Sequence, residues 1–240
     1  MKEAVILAGG FGTRLRSVVS DVPKPMAPVA GRPFLEILID YLMLYGFDHI
    51  VLSTGYMHEV IEHHFGNSYR GIIISYAIES TPLGTGGGIR NAIEHCESDD
   101  IVVINGDTLF KVDYDDLQRF YHSHPTRLAV VLRQVADASR YGSVETDCCD
   151  RIIRYAEKKQ DANDGGTCKT VQTINGGIYM MHRSLLEDHR LGEPFAFEKD
   201  ILQGLFVKEP FYAFTSSAYF LDIGIPDDYF RLIEEYDRLK

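Results

Sequence analysis

The first apolar run of the chain, Ala4 to Ala8, stops at Gly9 and Gly10, and Phe11, Gly12, Thr13 and Arg14 follow at once. Glycines at the end of a buried strand let backbone N–H groups approach a phosphate chain with no Cβ in the way. A dinucleotide-binding turn needs G-x-G-x-x-G, and the last glycine is missing here. A P-loop needs G-x-x-x-x-G-K-[ST], and neither this stretch nor Leu83–Arg90 has its lysine. A loop that wraps a nucleoside triphosphate, with Arg14 adding charge, and a tight turn without a ligand remain open. Lys24 stands between Pro23 and Pro25, which restrict the backbone around it. Asp107 follows the apolar run Ile101–Asn105 and a glycine, which puts a carboxylate at the carboxyl end of a strand, the usual site position in a parallel sheet. Asp222 ends another apolar run, Tyr219–Asp222. Mg²⁺ prefers one or two carboxylates plus phosphate oxygens, and the pair Asp107–Asp222 meets that demand.

These residues need elements to position them. Ala4–Ala8 reads as a buried strand, and Pro33–Gly46 as a helix with proline at its start and glycine at its end. Strands are expected at 49–54, 72–78 and 101–105, and helices at 58–66, 87–96 and 113–124. A strand follows at 127–135. Alternation at this spacing predicts an α/β chain with a Rossmann-like, doubly wound mixed sheet. Beyond Tyr141 the pattern loosens. Residues 160–170 are polar and glycine-rich and read as an exposed loop, short strands are expected near 175–182, 211–216 and 218–224, and an amphipathic helix starts at Pro226. Neither a repeat nor a linker interrupts the chain, so one domain is expected over 1–240.

Composition narrows the function classes. The chain has 240 residues, 45% hydrophobic and 25% charged, with a net charge of −11. The acidic balance argues against a general nucleic-acid binder. No run of about 18 apolar residues is present, so no membrane span is expected, and the glycines after Ala8 interrupt any signal-like segment. Cys96, Cys148, Cys149 and Cys168 have no metal-ligand spacing and form a poor disulfide framework. Reduced thiols in a cytoplasmic protein are expected. Against the acidic whole, residues 1–32 carry Lys2, Arg14, Arg16, Lys24 and Arg32 against only Glu3 and Asp21. That local positive charge, beside the glycine loop, points to an anionic ligand.

The stretch LAGGFGTRLRS (7–17), followed by PKPMAPVAGRPFLE (23–36), resembles the signature of the sugar-1-phosphate nucleotidyltransferases. The resemblance continues in order through PLGTGG (82–87), INGD (104–107), RYGSV (140–144), AEKK (156–159), INGGIY (174–179), FEKD (197–200) and FLDIGIPDDY (220–229). The wording of KPMAP, NGGIY and DIGIPDDY is most similar to the branch that guanylylates D-glycero-D-manno-heptose 1-phosphate. Two departures stand out: Ser17-Val18-Val19 where many relatives have Pro-Leu-Thr, and Lys159 where many have proline.

The resemblance implies a reaction in which a sugar phosphate oxygen attacks the α-phosphorus of a nucleoside triphosphate and pyrophosphate leaves. With a second phosphate pKa of about 6 the nucleophile is already an anion. No general base is needed, and the nine histidines read as surface or packing residues. Arg14 would meet the β- and γ-phosphates, Lys24 the α-phosphate and the incoming sugar phosphate, and Asp107 and Asp222 would hold Mg²⁺. Leu7, Ala8, Gly9, Gly10, Gly12, Thr13, Glu79, Gly84 and Thr85 would line the nucleotide. Gly142, Glu157, Lys158 and Asn175 would contact the sugar phosphate. The nucleotide half would run to about residue 135 and the sugar half from about 136.

Glu79 bears on the base. Uridylyl and thymidylyl relatives carry a glutamine five residues before the glycine that matches Gly84, and this chain carries Glu79 there. An ionised carboxylate only accepts hydrogen bonds. Guanine offers two adjacent donors, N1–H and the N2 amino group, whereas uracil would set carbonyl oxygens against it. The expected substrates are GTP and D-glycero-α-D-manno-heptose 1-phosphate, with mannose 1-phosphate as the alternative acceptor. Two further readings stay open: a non-catalytic regulatory subunit, disfavoured because Arg14, Lys24, Asp107 and Asp222 are all present, and a dehydrogenase, disfavoured by the glycine pattern. A homodimer is compatible with the sequence, which does not set the oligomeric state.

Overall fold

The computed structural model describes residues 1–135, 143–156, 172–189 and 191–238. The first apolar run forms β1 (Glu3–Leu7), and its side chains alternate between two cores, Ala4 and Ile6 on one face, Val5 on the other. Next come α1 (Phe34–Met43), β2 (His49–Thr54), α2 (His58–Phe65), β3 (Ile72–Ile78), α3 (Gly84–Ile93) and β4 (Asp100–Asn105). The strands pair in parallel in the order β4–β1–β2–β3. Apolar residues of α1 and α2 fill the core on one face, and Ile89, Ala92 and Ile93 of α3 fill the core on the other. β1, β2 and β4 are buried on both faces and read as near-continuous apolar runs, whereas β3 is covered on one face and leaves Ile73 and Ile78 exposed.

The second half adds the short β5 (Thr108–Phe110), α4 (Tyr114–Ser123), β6 (Leu128–Val135), the hairpin β7 (Ser143–Thr146) and β8 (Ile152–Ala156), and the long β9 (Gln172–His182). After α5 (Ser184–Asp188) and a π-helical stretch, Phe197–Gln203, follow β10 (Tyr212–Ser216), β11 (Phe220–Asp222) and α6 (Pro226–Glu235). β9 runs antiparallel to β4 and extends the sheet to β8–β7–β9–β4–β1–β2–β3. β9 also pairs antiparallel with β6, which pairs in parallel with β10. The register between β9 and β6 shifts between Asn175 and Tyr179, at Gly176 and Gly177. A Cβ on Gly176 would lie 2.6 Å from the Phe110 ring, and one on Gly177 2.6 Å from the Asn105 amide nitrogen. β11 pairs antiparallel with β5, so Asp222 lies opposite Thr108, one residue from Asp107.

The doubly wound mixed sheet matches the expectation. The largest displacement is in α3, which starts at Gly84 rather than Gly87. Glycine is a poor helix former, and tertiary contacts override that propensity here. A Cβ on Gly86 would collide with the Phe195 ring at 2.2 Å, and one on Gly84 with the Phe195 carbonyl at 2.3 Å. The polar stretch 160–170 lies outside the described residues. Among those described, no helix is long and apolar enough to cross a membrane.

At the amino ends of the parallel strands Glu3 is 2% exposed. Its carboxylate accepts from the backbone N–H of Glu97 and Ser98 and faces His49 Nδ1 at 2.6 Å, while His49 Nε2 lies 2.8 Å from Ser75 Oγ. This ties β1, β2 and β3 to the loop entering β4. Burial works to raise the Glu3 pKa, but the hydrogen bonds from His49, Ser98 and Glu97 outweigh it and leave the carboxyl below its ordinary 4.5. A lowered carboxyl pKa stabilises the fold above the unfolded-state value, and that contribution is lost as pH falls through the folded-state one. Glu3→Gln is expected to cost about 2 kcal/mol in denaturant unfolding at pH 7. The gap should narrow in acid below 4.5. A gap undiminished at pH 3 would assign the effect to packing instead.

Candidate active site

The glycine loop leaves the carboxyl end of β1 between β2 and β4. Ala8 N donates to Ser53 O at 2.7 Å, and Gly106 N donates to Leu7 O at 2.9 Å. The loop is thus pinned at its base to both neighbouring strands. Gly12 has φ +57°, and a Cβ there would sit 2.8 Å from the Lys24 Cβ. The glycine is required both by its backbone and by the passing lysine. Lys24 opens a one-turn 3₁₀ helix, Lys24–Met26, whose Pro25 and Met26 are buried, so its backbone is anchored while its head reaches across the loop.

That head, Lys24 Nζ, makes a short ion pair with Asp107 Oδ2. Asp107 Oδ1 accepts from the Thr108 hydroxyl at 3.2 Å. Asp222 accepts from Gly224 N through Oδ1 at 2.6 Å, and no hydrogen-bond partner for Oδ2 is found among the described residues. Burial and the neighbouring Asp107 push the Asp222 carboxyl up from 3.8 to about 6, against the opposing pull of Lys24, the Gly224 N–H and Arg14. Arg14 Nη2 lies 3.3 Å and Asp222 Oδ1 2.8 Å from the place a Gly224 Cβ would take. Among the described residues Arg14 makes no ion pair. Two carboxylates and two cations therefore meet at the carboxyl end of the sheet. Among the described residues no group of three or more His, Cys, Asp or Glu side chains is placed to hold a metal ion.

Two cavities adjoin there. One, of about 330 Å³, is lined by the glycine loop with Phe11, by Lys24 and Pro25, and by Ser53, Glu79, Gly84 and Thr85. The other, of about 300 Å³, is lined by Arg14, Thr108, Tyr155, Asn175, Phe220 and Asp222. Asn105, Asp107 and Glu198 are walls of both. In the first cavity Glu79 is held rigidly: Oε1 accepts from Ser53 Oγ at 3.2 Å and Oε2 from Leu83 N at 3.0 Å. A Cβ on Gly88 would lie 2.7 Å, and one on Gly9 3.4 Å, from Glu79 Oε1. Glycines on two elements thus make room for this carboxylate.

Of the residues singled out in the sequence, Leu7, Gly9, Gly10, Gly12, Lys24, Glu79, Gly84, Thr85 and Asp107 line the first cavity. Arg14, Asn175 and Asp222 line the second. Ala8 is buried at 1% exposure behind the loop, and Thr13 is exposed on its outer side. Gly142, Glu157 and Lys158 lie outside the described residues. Sequence reasoning passed over Glu198, although the FEKD motif marks it. Its Oε2 accepts from Thr85 Oγ1 at 2.8 Å and its Oε1 from the Tyr179 hydroxyl at 3.4 Å; that hydroxyl in turn accepts from Asn175 Nδ2 at 2.8 Å. Burial pushes the Tyr179 phenol well above its ordinary pKa, which keeps it a donor. Ser53 and Asn105 were also missed, and only their places at strand ends could have marked them.

A family profile described as Nucleotidyl transferase matches residues 3–238. The chain is 46% identical, over 95% of both sequences, to a protein of Aneurinibacillus thermoaerophilus named D-glycero-alpha-D-manno-heptose 1-phosphate guanylyltransferase. Over 95% of its length it is 35% identical to a Mycobacterium tuberculosis protein named Mannose-1-phosphate guanylyltransferase, and that match covers 63% of the relative. The crystal structure of HddC from Yersinia pseudotuberculosis complexed with GMP-PN superposes with a TM-score of 0.82 at 37% identity, covering 98% of this chain and 100% of that one.

Proposed function

The chain belongs to the nucleotidyl transferase family, and from that premise we propose that it transfers the guanylyl group of GTP to D-glycero-α-D-manno-heptose 1-phosphate, releasing pyrophosphate. The observation that carries the guanine half is Glu79, a carboxylate fixed by Ser53 and Leu83 N on the wall of the first cavity. It would accept from guanine N1–H and N2–H. The acceptor half rests on the 46% identity to the Aneurinibacillus heptose enzyme. On this reading the nucleotide fills the first cavity, its β- and γ-phosphates reach Arg14 where the two cavities adjoin, and the sugar phosphate enters the second. Both belong to one domain of the chain, and the reaction takes place in the cytoplasm.

The donor set suits a hard divalent cation. Asp107, just before β5, and Asp222, at the end of its partner strand β11, would be the oxygen ligands, and Asp222 Oδ2 has no hydrogen-bond partner among the described residues. The remaining positions would go to phosphate oxygens and water, the usual habit of Mg²⁺. When bound, Mg²⁺ supplies charge neutralisation at the reacting phosphates. The protein's own groups do the rest. The glycine loop offers its N–H groups to the triphosphate, and Arg14 pairs with the β- and γ-phosphates as the Pα–O–Pβ bond breaks. Lys24 stabilises the charge that builds on the α-phosphate as the sugar phosphate oxygen attacks it. Asn175, with Gly142, Glu157 and Lys158, orients the sugar phosphate.

Pyrophosphate release by the purified protein across a panel of nucleoside triphosphates and sugar 1-phosphates tests this. The largest kcat/KM is expected for GTP with the heptose phosphate. Equal efficiency with mannose 1-phosphate would make the protein a mannose-1-phosphate guanylyltransferase. No release with any pair would favour a sugar-nucleotide-binding regulatory subunit.

A further inference from the structure

Lys24 touches three things at once. Its Nζ holds Asp107 Oδ2, its stem runs against the glycine loop, where a Gly12 Cβ would be 2.8 Å from Lys24 Cβ and 3.5 Å from Cδ, and the residue is one of those lining the first cavity. Its side chain is only 14% exposed and that of its partner, Asp107, 28%. Asp107 is also one of the two carboxylates assigned to the divalent cation, and the other, Asp222, keeps Oδ2 free of hydrogen bonds among the described residues. A lysine bound to one carboxylate of the pair takes part of the electrostatic place of a metal ion and leaves the pair one negative charge in excess. Two carboxylates with no third His, Cys, Asp or Glu placed beside them among the described residues make a weak site for a hard cation even before that competition.

We infer that in the nucleotide-free protein Lys24 stands in for the divalent cation at Asp107 and moves to the α-phosphate when the triphosphate enters the glycine loop, so that the carboxylate pair binds the ion tightly only together with nucleotide. The inference rests on the assignment of Asp107 and Asp222 as metal ligands. The contact between the Lys24 stem and the glycine loop is the mechanical link: a ligand that orders the loop meets the lysine directly. The triphosphate then offers Lys24 an anion and the ion its missing oxygen ligands, and both exchanges favour the same state. Nucleotide and ion binding become reciprocally coupled. The arrangement also keeps the free protein from holding an ion that no substrate uses.

Mn²⁺ titration of the nucleotide-free, full-length chain, with free ion read by electron paramagnetic resonance, tests this without any turnover. Lys24→Met is expected to bind Mn²⁺ at least tenfold more tightly than wild type, and Asp107→Asn added to Lys24→Met should remove the gain. Lys24→Gln, which keeps a polar head, should show the same gain and serves if the methionine variant does not melt cooperatively. Wild type and both Lys24 variants binding Mn²⁺ equally would overturn the inference, and so would a gain that survives Asp107→Asn. Binding of a non-hydrolysable GTP analogue, followed by calorimetry in parallel, separates this from the proposed function. If the analogue does not bind, the nucleotide assignment fails, whereas the nucleotide-free titrations still decide the role of Lys24.

Discussion

The Asp222→Asn protein is expected to turn over at least a hundredfold more slowly, a loss on the order of 3 kcal/mol of transition-state stabilisation, and yet to melt about 2–4 °C higher when both proteins are held in chelator at pH 8. The two effects have one cause. Burial and the neighbouring Asp107 push the Asp222 carboxyl up from 3.8 to about 6. A raised carboxyl pKa means that the neutral form suits the fold better. The contribution is fully present below about pH 4 and lost as pH rises through about 6. At pH 8 the ionised pair is a standing repulsion, which asparagine removes and a divalent cation neutralises. The melting advantage of the variant should therefore vanish near pH 4. Undiminished turnover would take Asp222 out of the reaction, and equal melting at pH 8 in chelator would show that Lys24 and Arg14 already cancel the repulsion. Asp107→Asn should lower turnover to the same extent.

The second large effect concerns the base. GTP is expected to exceed UTP in kcat/KM by at least about a hundredfold. The reason is the rigidity of Glu79. With Ser53 Oγ on one oxygen and Leu83 N on the other, and with the backbones at Gly9 and Gly88 closing around it, the carboxylate cannot swing away from a mismatched base. Uracil would leave it charged, buried and facing carbonyl oxygens, a situation that costs several kcal/mol. Glu79→Gln supplies an amide that both donates and accepts. Its carbonyl can still take the Leu83 N–H while its NH₂ turns to the cavity, so the gap between GTP and UTP should shrink about tenfold or more, chiefly through a poorer GTP reaction. Initial rates with the two triphosphates decide it, and an unchanged ratio would place the base elsewhere.

The candidate site was legible where its chemistry is local. The glycine loop, Lys24 between prolines, and Asp107 and Asp222 at the ends of apolar runs are each announced by a few adjacent residues, and the sheet then brings them together. Glu198 was not legible in this way. It reaches the junction of the two cavities from a π-helical stretch that follows a loosely patterned segment, and its partners Thr85 and Tyr179 are distant in sequence. Similarly, β5 is three residues long, too short to show a period, and is defined by its pairing with β11. The start of α3 was misplaced because glycine propensity is a statement about isolated helices, and this helix is held by what it touches.

That last feature reverses a common route to a sturdier protein. Exchanging helical glycines for alanine usually strengthens a fold by narrowing the unfolded ensemble, and α3 opens with Gly84, Gly86, Gly87 and Gly88 as inviting targets. Here the methyl groups would run into the Phe195 backbone, the Phe195 ring, the Leu83 side chain and the Glu79 carboxylate at 2.3, 2.2, 2.8 and 2.7 Å. An engineer working from helix propensity alone would be forcing α3 away from Phe195 and displacing Glu79, a wall of the first cavity. Hardening this protein has to begin on other helices, such as α4 with its Asp113 cap, where added rigidity leaves the cavity its shape.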